Sequence, residues 1–267
     1  MASHDAIQSS RSELKFEIDE SQTSAIRAFL LTYLRPDPNC SDGTYPVTSV
    51  YLDSEDRLLY RQTQEGIRNR YKLRVRFYDD LTTSPAFLEI KGRDGQAVKK
   101  KRARVDRHTA AKMLQGDRVS LPQTSGASCT TSDWEAFDEF RRLRDRIGAT
   151  GQTYVSYQRE AYLSPDNTNC RATFDRRLKT SGYQPDPILR LPETWVEAGS
   201  ENQVVFELKY TDEVPRWMEV LVRTFGLVAG PFPKYVTCRD SLREEEIRQR
   251  DPSLATSDSS GDFHGVS

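Results

Sequence analysis

Lysine, arginine and glutamate recur two residues apart in short segments of this sequence whose intervening residues are apolar. Glu13-x-Lys15, Arg74-x-Arg76, Glu89-x-Lys91, Lys99-x-Lys101 and Glu207-x-Lys209 share the pattern, and Arg159 and Arg171 represent it singly. Residues at i and i+2 of a strand point to one side of it. The opposite sides carry Leu14/Phe16/Ile18, Leu73/Val75/Phe77, Leu88/Ile90 and Val204/Phe206/Leu208. A sheet that curls with its charged faces inward would enclose a lumen lined with cations and a few carboxylates. Cations facing one another at low dielectric repel, so such a lumen is tolerable only with an anionic occupant. Phosphates suit it, because arginine forks match phosphate oxygens and lysines supply point charges. The minority carboxylates Glu13, Glu89 and Glu207 then have a task, holding Mg²⁺ or Mn²⁺ that bridges phosphate oxygens, while Lys99, Lys101 and Lys209 contact phosphate. Two blander readings stay open. The charged faces could be the solvated side of an ordinary sheet, and Lys99–Arg104 (KKKRAR) could be a nuclear-localisation or nucleic-acid patch. Its strand-like alternation, however, turns only half of it toward any one partner.

Positioning these residues takes mostly strands. Ser12–Asp19 alternates with a clean period of two, and Val47–Asp53, Lys72–Tyr78, Thr153–Leu163, Cys170–Leu178 and Gln203–Tyr210 follow as strands. Ala86–Gly92 and Val98–Val105 form a hairpin around Gly92-Arg93-Asp94-Gly95. Helices are expected from Ser21, as N-cap, to Leu34, over Thr109–Gln115, after a capping box at Ser132-x-x-Glu135, over Val214–Gly226 and over Lys234–Arg248. The Ser/Thr/Gly stretch 119–131 and the Pro-rich 180–200 are expected as loops. The sum is an α+β fold of about eight strands with helices packed outside, an antiparallel barrel or a strongly bent sheet, of which the closed eight-stranded antiparallel barrel is the expectation adopted. One domain spans 12–245, between polar tails at 1–11 and 246–267 expected to be disordered.

Composition removes several classes. The 267 residues are 36% hydrophobic, enough for a core. Thirty-nine basic and forty acidic residues leave a net charge of −1, yet 68–107 alone holds thirteen Lys/Arg against five Asp/Glu. Near-neutrality therefore conceals cations gathered in one place. Cys40, Cys129, Cys170 and Cys238 are widely spaced and form no CxxC pair, which points to reduced thiols in a cytoplasmic protein. Of three histidines, His4 and His264 lie in the tails, and His108 is expected to be a surface residue at a helix start. No GxxxxGK[ST] or GxGxxG occurs. The longest apolar run, at Phe29-Leu30-Leu31, is too short to cross a bilayer. Trp134, Trp195 and Trp217 are expected to pack rather than to stack on a nucleobase.

The ordered series Glu13-Leu-Lys-Phe, Ser49-Val-Tyr-Leu-Asp53, Arg74-Val-Arg-Phe-Tyr78, Leu88-Glu-Ile-Lys91, Val98-Lys-Lys-Lys-Arg102, Tyr157-Gln-Arg-Glu-Ala-Tyr162, Arg171-Ala-Thr-Phe-Asp175, Phe206-Glu-Leu-Lys209 and Pro233-Lys-Tyr235 resembles the VTC domain. That is the catalytic domain of vacuolar transporter chaperone polyphosphate polymerases, within the triphosphate tunnel metalloenzyme superfamily. The resemblance covers roughly 12–240 and implies an eight-stranded antiparallel tunnel. It implies that Arg74, Arg76, Lys91, Lys99, Arg159 and Arg171 hold nucleotide phosphates and polyphosphate, and that Lys15 lies near the reacting phosphates. It also implies that Glu207 binds the metal and that Lys234 acts from the start of the last helix. Arg61, before the Glu65-Gly66 turn, matches at an expanded spacing. ATP and inorganic polyphosphate are the implied partners, without nucleic acid or a spanning segment, which leaves room for a separately encoded membrane partner.

The sequence departs from the pattern it resembles at three points. Pro231 stands where eukaryotic members often carry a second lysine. Arg11 replaces the first glutamate of the hydrolytic Glu-x-Glu-x-Lys motif, which counts against simple triphosphate hydrolysis. No SPX-like region is present. The expected activity is metal-dependent transfer of the ATP γ-phosphate to polyphosphate, with a hydrolase of the same fold or a non-catalytic polyanion binder as rivals.

Overall fold

The computed structural model describes residues 11–40, 43–94, 97–120, 130–165 and 170–251, without the side chains of Arg11 and of 93–99. Residues 1–10 and 252–267 of the tails, the Gly95 turn position and most of the loop 119–131, with Cys129, lie outside the described residues. In chain order the elements are β1 (Arg11–Asp19), α1 (Glu20–Leu30), β2 (Arg35–Pro36), β3 (Tyr45–Asp53), α2 (Leu58–Gln64), β4 (Arg70–Phe77), β5 (Ala86–Asp94), β6 (Ala97–Val105), α3 (Arg107–Gln115), α4 (Thr131–Arg146), β7 (Thr150–Leu163), β8 (Arg171–Gly182), β9 (Val196–Glu197), β10 (Gln203–Thr211), α5 (Arg216–Thr224) and α6 (Lys234–Arg250).

All the expected strands form, in one antiparallel sheet of order β1-β10-β8-β7-β3-β4-β5-β6. Two short strands add to it, β2 on β7 and β9 on β8, making ten. The sheet is not a closed barrel. Its edges β1 and β6 come within 8 Å between Cα atoms but form no hydrogen-bonded ladder among the described residues. A ladder needs backbones about 4.8 Å apart, and here a side chain crosses instead: Lys91 Nζ of β5 donates to Glu13 Oε2 of β1 at 3.0 Å.

Each face of this curled sheet has its own core. Outside, Leu73, Val75, Phe77, Leu88, Ile90, Ala103 and Val105 pack under α3 and α4 through Ala110, Met113, Phe137 and Phe140. Also outside, Phe16, Phe174, Phe206 and Leu208 pack under α1 and α5 through Ile26, Leu30, Met218 and Leu221. Inside, the alternate residues Val47, Tyr51, Val155 and Tyr157 meet Tyr235 and Cys238 of α6. The first turn of α6 thus sits within the concavity and roofs the charged part of it. Burial of apolar side chains on both sides, each contributing about 1.5–3 kcal/mol when complete, fixes which strand residues face inward.

Local starts differ in detail from the sequence reading. Asp19, not Ser21, caps α1: its carboxylate accepts Ser21 N–H at 2.9 Å and Gln22 Oε1 accepts Asp19 N–H at 3.1 Å. Helix α1 ends at Leu30 rather than Leu34, in a turn that precedes β2. The capping box of α4 is Thr130 with Asp133, not Ser132 with Glu135. The short α2 was not expected, because its cap is remote: Asp53 at the end of β3 accepts Leu59 and Tyr60 N–H at 2.8 and 2.9 Å. Helix α6 runs on to Arg250, past the boundary drawn at 245. No helix among the described residues is long and apolar enough to cross a membrane.

Candidate functional site

Cross-strand register brings the inward charges together. Glu13 faces Lys209, Lys15 faces Glu207, Glu207 faces Thr173, and Lys209 faces Arg171. On the other wall Arg74 faces Glu89 and Tyr51, Lys72 faces Lys91, and Lys91 faces Lys100.

Two buried carboxylates act as hubs. Glu207, 3% exposed, has Lys209 and Lys234 at 2.9 Å, Lys15 at 3.3 Å and Arg159 at 3.7 Å. Burial pushes its carboxyl up, but Lys209, Lys234, Lys15 and Arg159 outweigh that and hold it well below the carboxylate range. Glu89, 1% exposed, accepts from Arg74 at 2.7 Å and is ion-paired with Lys100 at 2.8 Å, with Arg102 at 3.5 Å and Arg76 at 3.9 Å. Burial opposes its charge, and Arg74, Arg76 and Lys100 overcome the penalty.

A third carboxylate, Asp175, carried no role in the sequence reading. It is fully buried, accepts both Nε and Nη2 of Arg159 at 2.7 Å, and is ion-paired with Lys234 Nζ at 2.8 Å. Burial raises its carboxyl while Arg159 and Lys234 lower it, with a net lowering. Lys234, from α6, is thereby locked between Asp175 and Glu207, and its ammonium is held above the ordinary lysine range despite burial. Aromatic rings complete the wall. Tyr51 stacks on Tyr235 at 4.8 Å and accepts from Arg74 at 3.0 Å. Tyr157 accepts from Arg76 at 3.3 Å and lies under Arg159 and Lys234.

Most residues singled out from the sequence converge here: Glu13, Lys15, Arg74, Arg76, Glu89, Lys91, Arg159, Glu207, Lys209 and Lys234. Arg171 lies toward the rim, paired with Asp37 at 3.1 Å and donating to Tyr45 Oη at 2.9 Å. Arg61 does not join them. It sits on α2, half-exposed, and pairs with Asp56 at 2.6 Å. Lys101 is displaced for a reason of register. Its partner across β5 is Ile90, so it shares the outer face with Ala103 and Val105 and pairs with Glu139 of α4. The inward residues of β6 are Lys100 and Arg102. Lys99 stands opposite Gly92, and its side chain lies outside the description. His108 Nδ1 donates to Pro187 O on the surface, Trp217 stacks on Tyr33, and Trp195 packs on Tyr154.

Sequence reasoning also passed over Lys72, though it lies two residues before Arg74 on the same face. Burial, then Lys91, Lys15, Arg70 and Arg74, push its ammonium down to about 7. Burial likewise lowers Lys91 to about 8 against the pull of Glu13, and Lys100 to about 8 against Glu89. A lumen that strips protons from its own lysines is short of negative charge.

The donor set decides how a divalent metal would fit. No cluster of three or more His, Cys, Asp or Glu exists among the described residues. Glu13 and Glu207 do converge, since each approaches Lys15 Nζ at 3.3 Å and each raises the energy of the other's charge. Magnesium-type ions commonly take one or two carboxylates and complete their shell with phosphate oxygens and water. Glu13 and Glu207 fit that partial site. Glu89 belongs to the opposite wall, caged by cations, and is a counter-ion.

The family model of the VTC domain matches residues 10–243. No curated protein matches. Among solved structures, the chain is similar to a candidate adenylate cyclase from Bacillus halodurans (12% identity, 84% of this chain and 95% of that chain, TM-score 0.48). It is also similar to another from Vibrio parahaemolyticus (12% identity, 85% and 97%, TM-score 0.43) and to the Mimivirus capping enzyme triphosphatase (12% identity, 83% and 90%, TM-score 0.33).

Proposed function

The chain belongs to the VTC domain family, and we propose that it is a metal-dependent polyphosphate polymerase that transfers the γ-phosphate of ATP to a growing chain. The observation that supports this most is the charge balance of the lumen. Among the described residues, Lys15, Lys72, Arg74, Arg76, Lys91, Lys100, Arg102, Arg159, Arg171, Lys209 and Lys234 line it, against Glu13, Glu89, Asp175, Glu207 and, at the rim, Asp37. A polyanion threaded through it supplies the missing negative charge.

Phosphoryl transfer asks mainly for alignment and charge neutralisation. Arg74 and Arg76 on one wall and Arg159 on the other would meet non-bridging oxygens by exchanging donors now held by Glu89, Tyr51, Ser49, Tyr157 and Asp175. Lys15, between the two candidate metal carboxylates, addresses the reacting phosphates. The terminal oxygen of the polyphosphate attacks the γ-phosphorus, a new P–O bond forms, and the bond to the β-phosphate oxygen breaks, with its electron pair leaving on ADP. The nucleophile is already anionic near pH 7, so no strong base is required. A divalent ion held by Glu13 and Glu207 would supply charge neutralisation across the phosphates.

The test incubates the full chain with ATP and Mn²⁺ and resolves products on a polyacrylamide gel. A ladder of polyphosphate is expected. Orthophosphate without polymer would replace the polymerase reading with hydrolysis, and no turnover with retained tripolyphosphate binding would leave a binding module.

A further inference from the structure

Every lumen lysine but one has a carboxylate among the described residues. Lys15 has Glu13 and Glu207, Lys91 has Glu13, Lys100 has Glu89, Lys209 has Glu207, and Lys234 has Asp175 and Glu207. Lys72 has none. Its cross-strand partner is another lysine, Lys91, and like charges directly opposite on a ladder destabilise it. The charges acting on it are Arg70 and Arg74 on β4, Lys91 on β5 and Lys15 on β1, and those around its partner Lys91 are Lys100 on β6, Glu13 and Lys15 on β1, and Glu207 and Lys209 on β10. The carboxylates in that set are already committed: Glu13 to Lys91 and Lys15, Glu207 to its four cations. On β3, Asp53 follows Leu52, the partner of Leu73, but its oxygens accept Ser54, Leu59 and Tyr60 N–H and the Tyr235 hydroxyl.

We propose that Lys72, opposite Lys91, adds a phosphate contact to the lumen that the family resemblance does not assign, and that anion binding at Lys72 is linked to proton uptake. The inference rests on the reading of the lumen as phosphate-binding. Burial and surrounding cations leave Lys72 largely short of its proton above neutral pH. An arriving phosphate reverses the local field, restores the ammonium, and draws the proton from solvent. If only the ammonium form binds, affinity falls roughly tenfold between about pH 7 and 8.5.

The experiment is calorimetric titration of tripolyphosphate into the metal-free full chain, in two buffers of different ionisation enthalpy, at both pH values. Wild type is expected to take up protons on binding and to weaken about tenfold at the higher pH. Lys72→Gln is expected to lose roughly tenfold in affinity near pH 7. Lys72→Arg, permanently charged, is expected to keep affinity while its pH dependence and proton uptake shrink. Gln binding as tightly as wild type, or Arg retaining the full pH slope and uptake, overturns the contact at Lys72 while leaving the lumen reading intact. Wild type that binds no tripolyphosphate overturns both. Should Lys72→Gln fail to fold, the Arg comparison alone decides.

Discussion

Glu207→Gln is the most informative single change, because the substitution preserves shape and removes one buried charge. Four cations approach this carboxylate: Lys209, Lys234, Lys15 and Arg159. Three retain a second partner when it is gone. Lys15 keeps Glu13, and Lys234 and Arg159 keep Asp175. Lys209 is left without one. Breaking a buried pair by removing one partner costs about 3–5 kcal/mol, and the surviving second partners place this case near 3. For a domain of this size, each kcal/mol shifts Tm by about 2–4 °C, so the apo variant should melt roughly 6–12 °C lower. The same loss makes the lumen hungrier for anions. In thermal unfolding with EDTA, saturating tripolyphosphate should therefore raise the variant's Tm by more than it raises that of wild type. Metal-dependent turnover should disappear, since a candidate metal ligand is gone. A variant that melts within about 1 °C of wild type, with unchanged response to tripolyphosphate, would refute the hub as a counter-charge for these cations.

Two further changes of condition or sequence separate the inner from the outer face and probe the apo lumen. Lys100→Ala should weaken tripolyphosphate binding by roughly tenfold in calorimetry, whereas Lys101→Ala, on the α4 side, should change it less than about twofold; the reverse order would place the register of β6 one residue off. Lys72, Lys91 and Lys100 all lose their protons in the folded state well below the ordinary lysine value, near 7 to 8. The unfolded chain therefore binds more protons between about pH 7 and 10, and apo stability rises with pH across that window. With Lys91 and Lys100, each more than a third exposed, discounted for screening, the gain from pH 7 to 9 is on the order of 2–3 kcal/mol, read as a Tm increase that tripolyphosphate abolishes. A Tm that falls over that range would show that the lysines are not electrostatically strained.

The strands were legible because their two faces obey one period. Leu14/Phe16/Ile18 against Glu13/Lys15 leaves no ambiguity about which side is buried. The run Lys99–Arg102 offers no such contrast, and the slip there put Lys101 in the lumen in place of Lys100. Ala103 and Val105 held the correcting signal, since they share parity with Lys101 and belong to the outer core. Asp175 was missed although it lies four residues after Arg171 on the inward face, because a single carboxylate in a strand says nothing of the Arg159 and Lys234 that reach it from β7 and α6. The roof formed by Lys234 and Tyr235 depends on α6 entering the concavity, which needs Tyr51 and Tyr157 as its floor. Closure was the least legible feature. It depends on how β1 and β6, the two edges of the sheet, meet, and there the contact is Lys91 to Glu13 rather than a ladder.

Isotope transfer tests the phosphotransferase reading most directly. The full chain is incubated with Mn²⁺ and ATP labelled either at the γ-phosphate or in adenine, and products are separated by size. The γ-label should appear in polymer resistant to extraction with small phosphates, while the adenine label should appear only as ADP. Release of all γ-label as orthophosphate, with no polymer at any metal concentration, would contradict it.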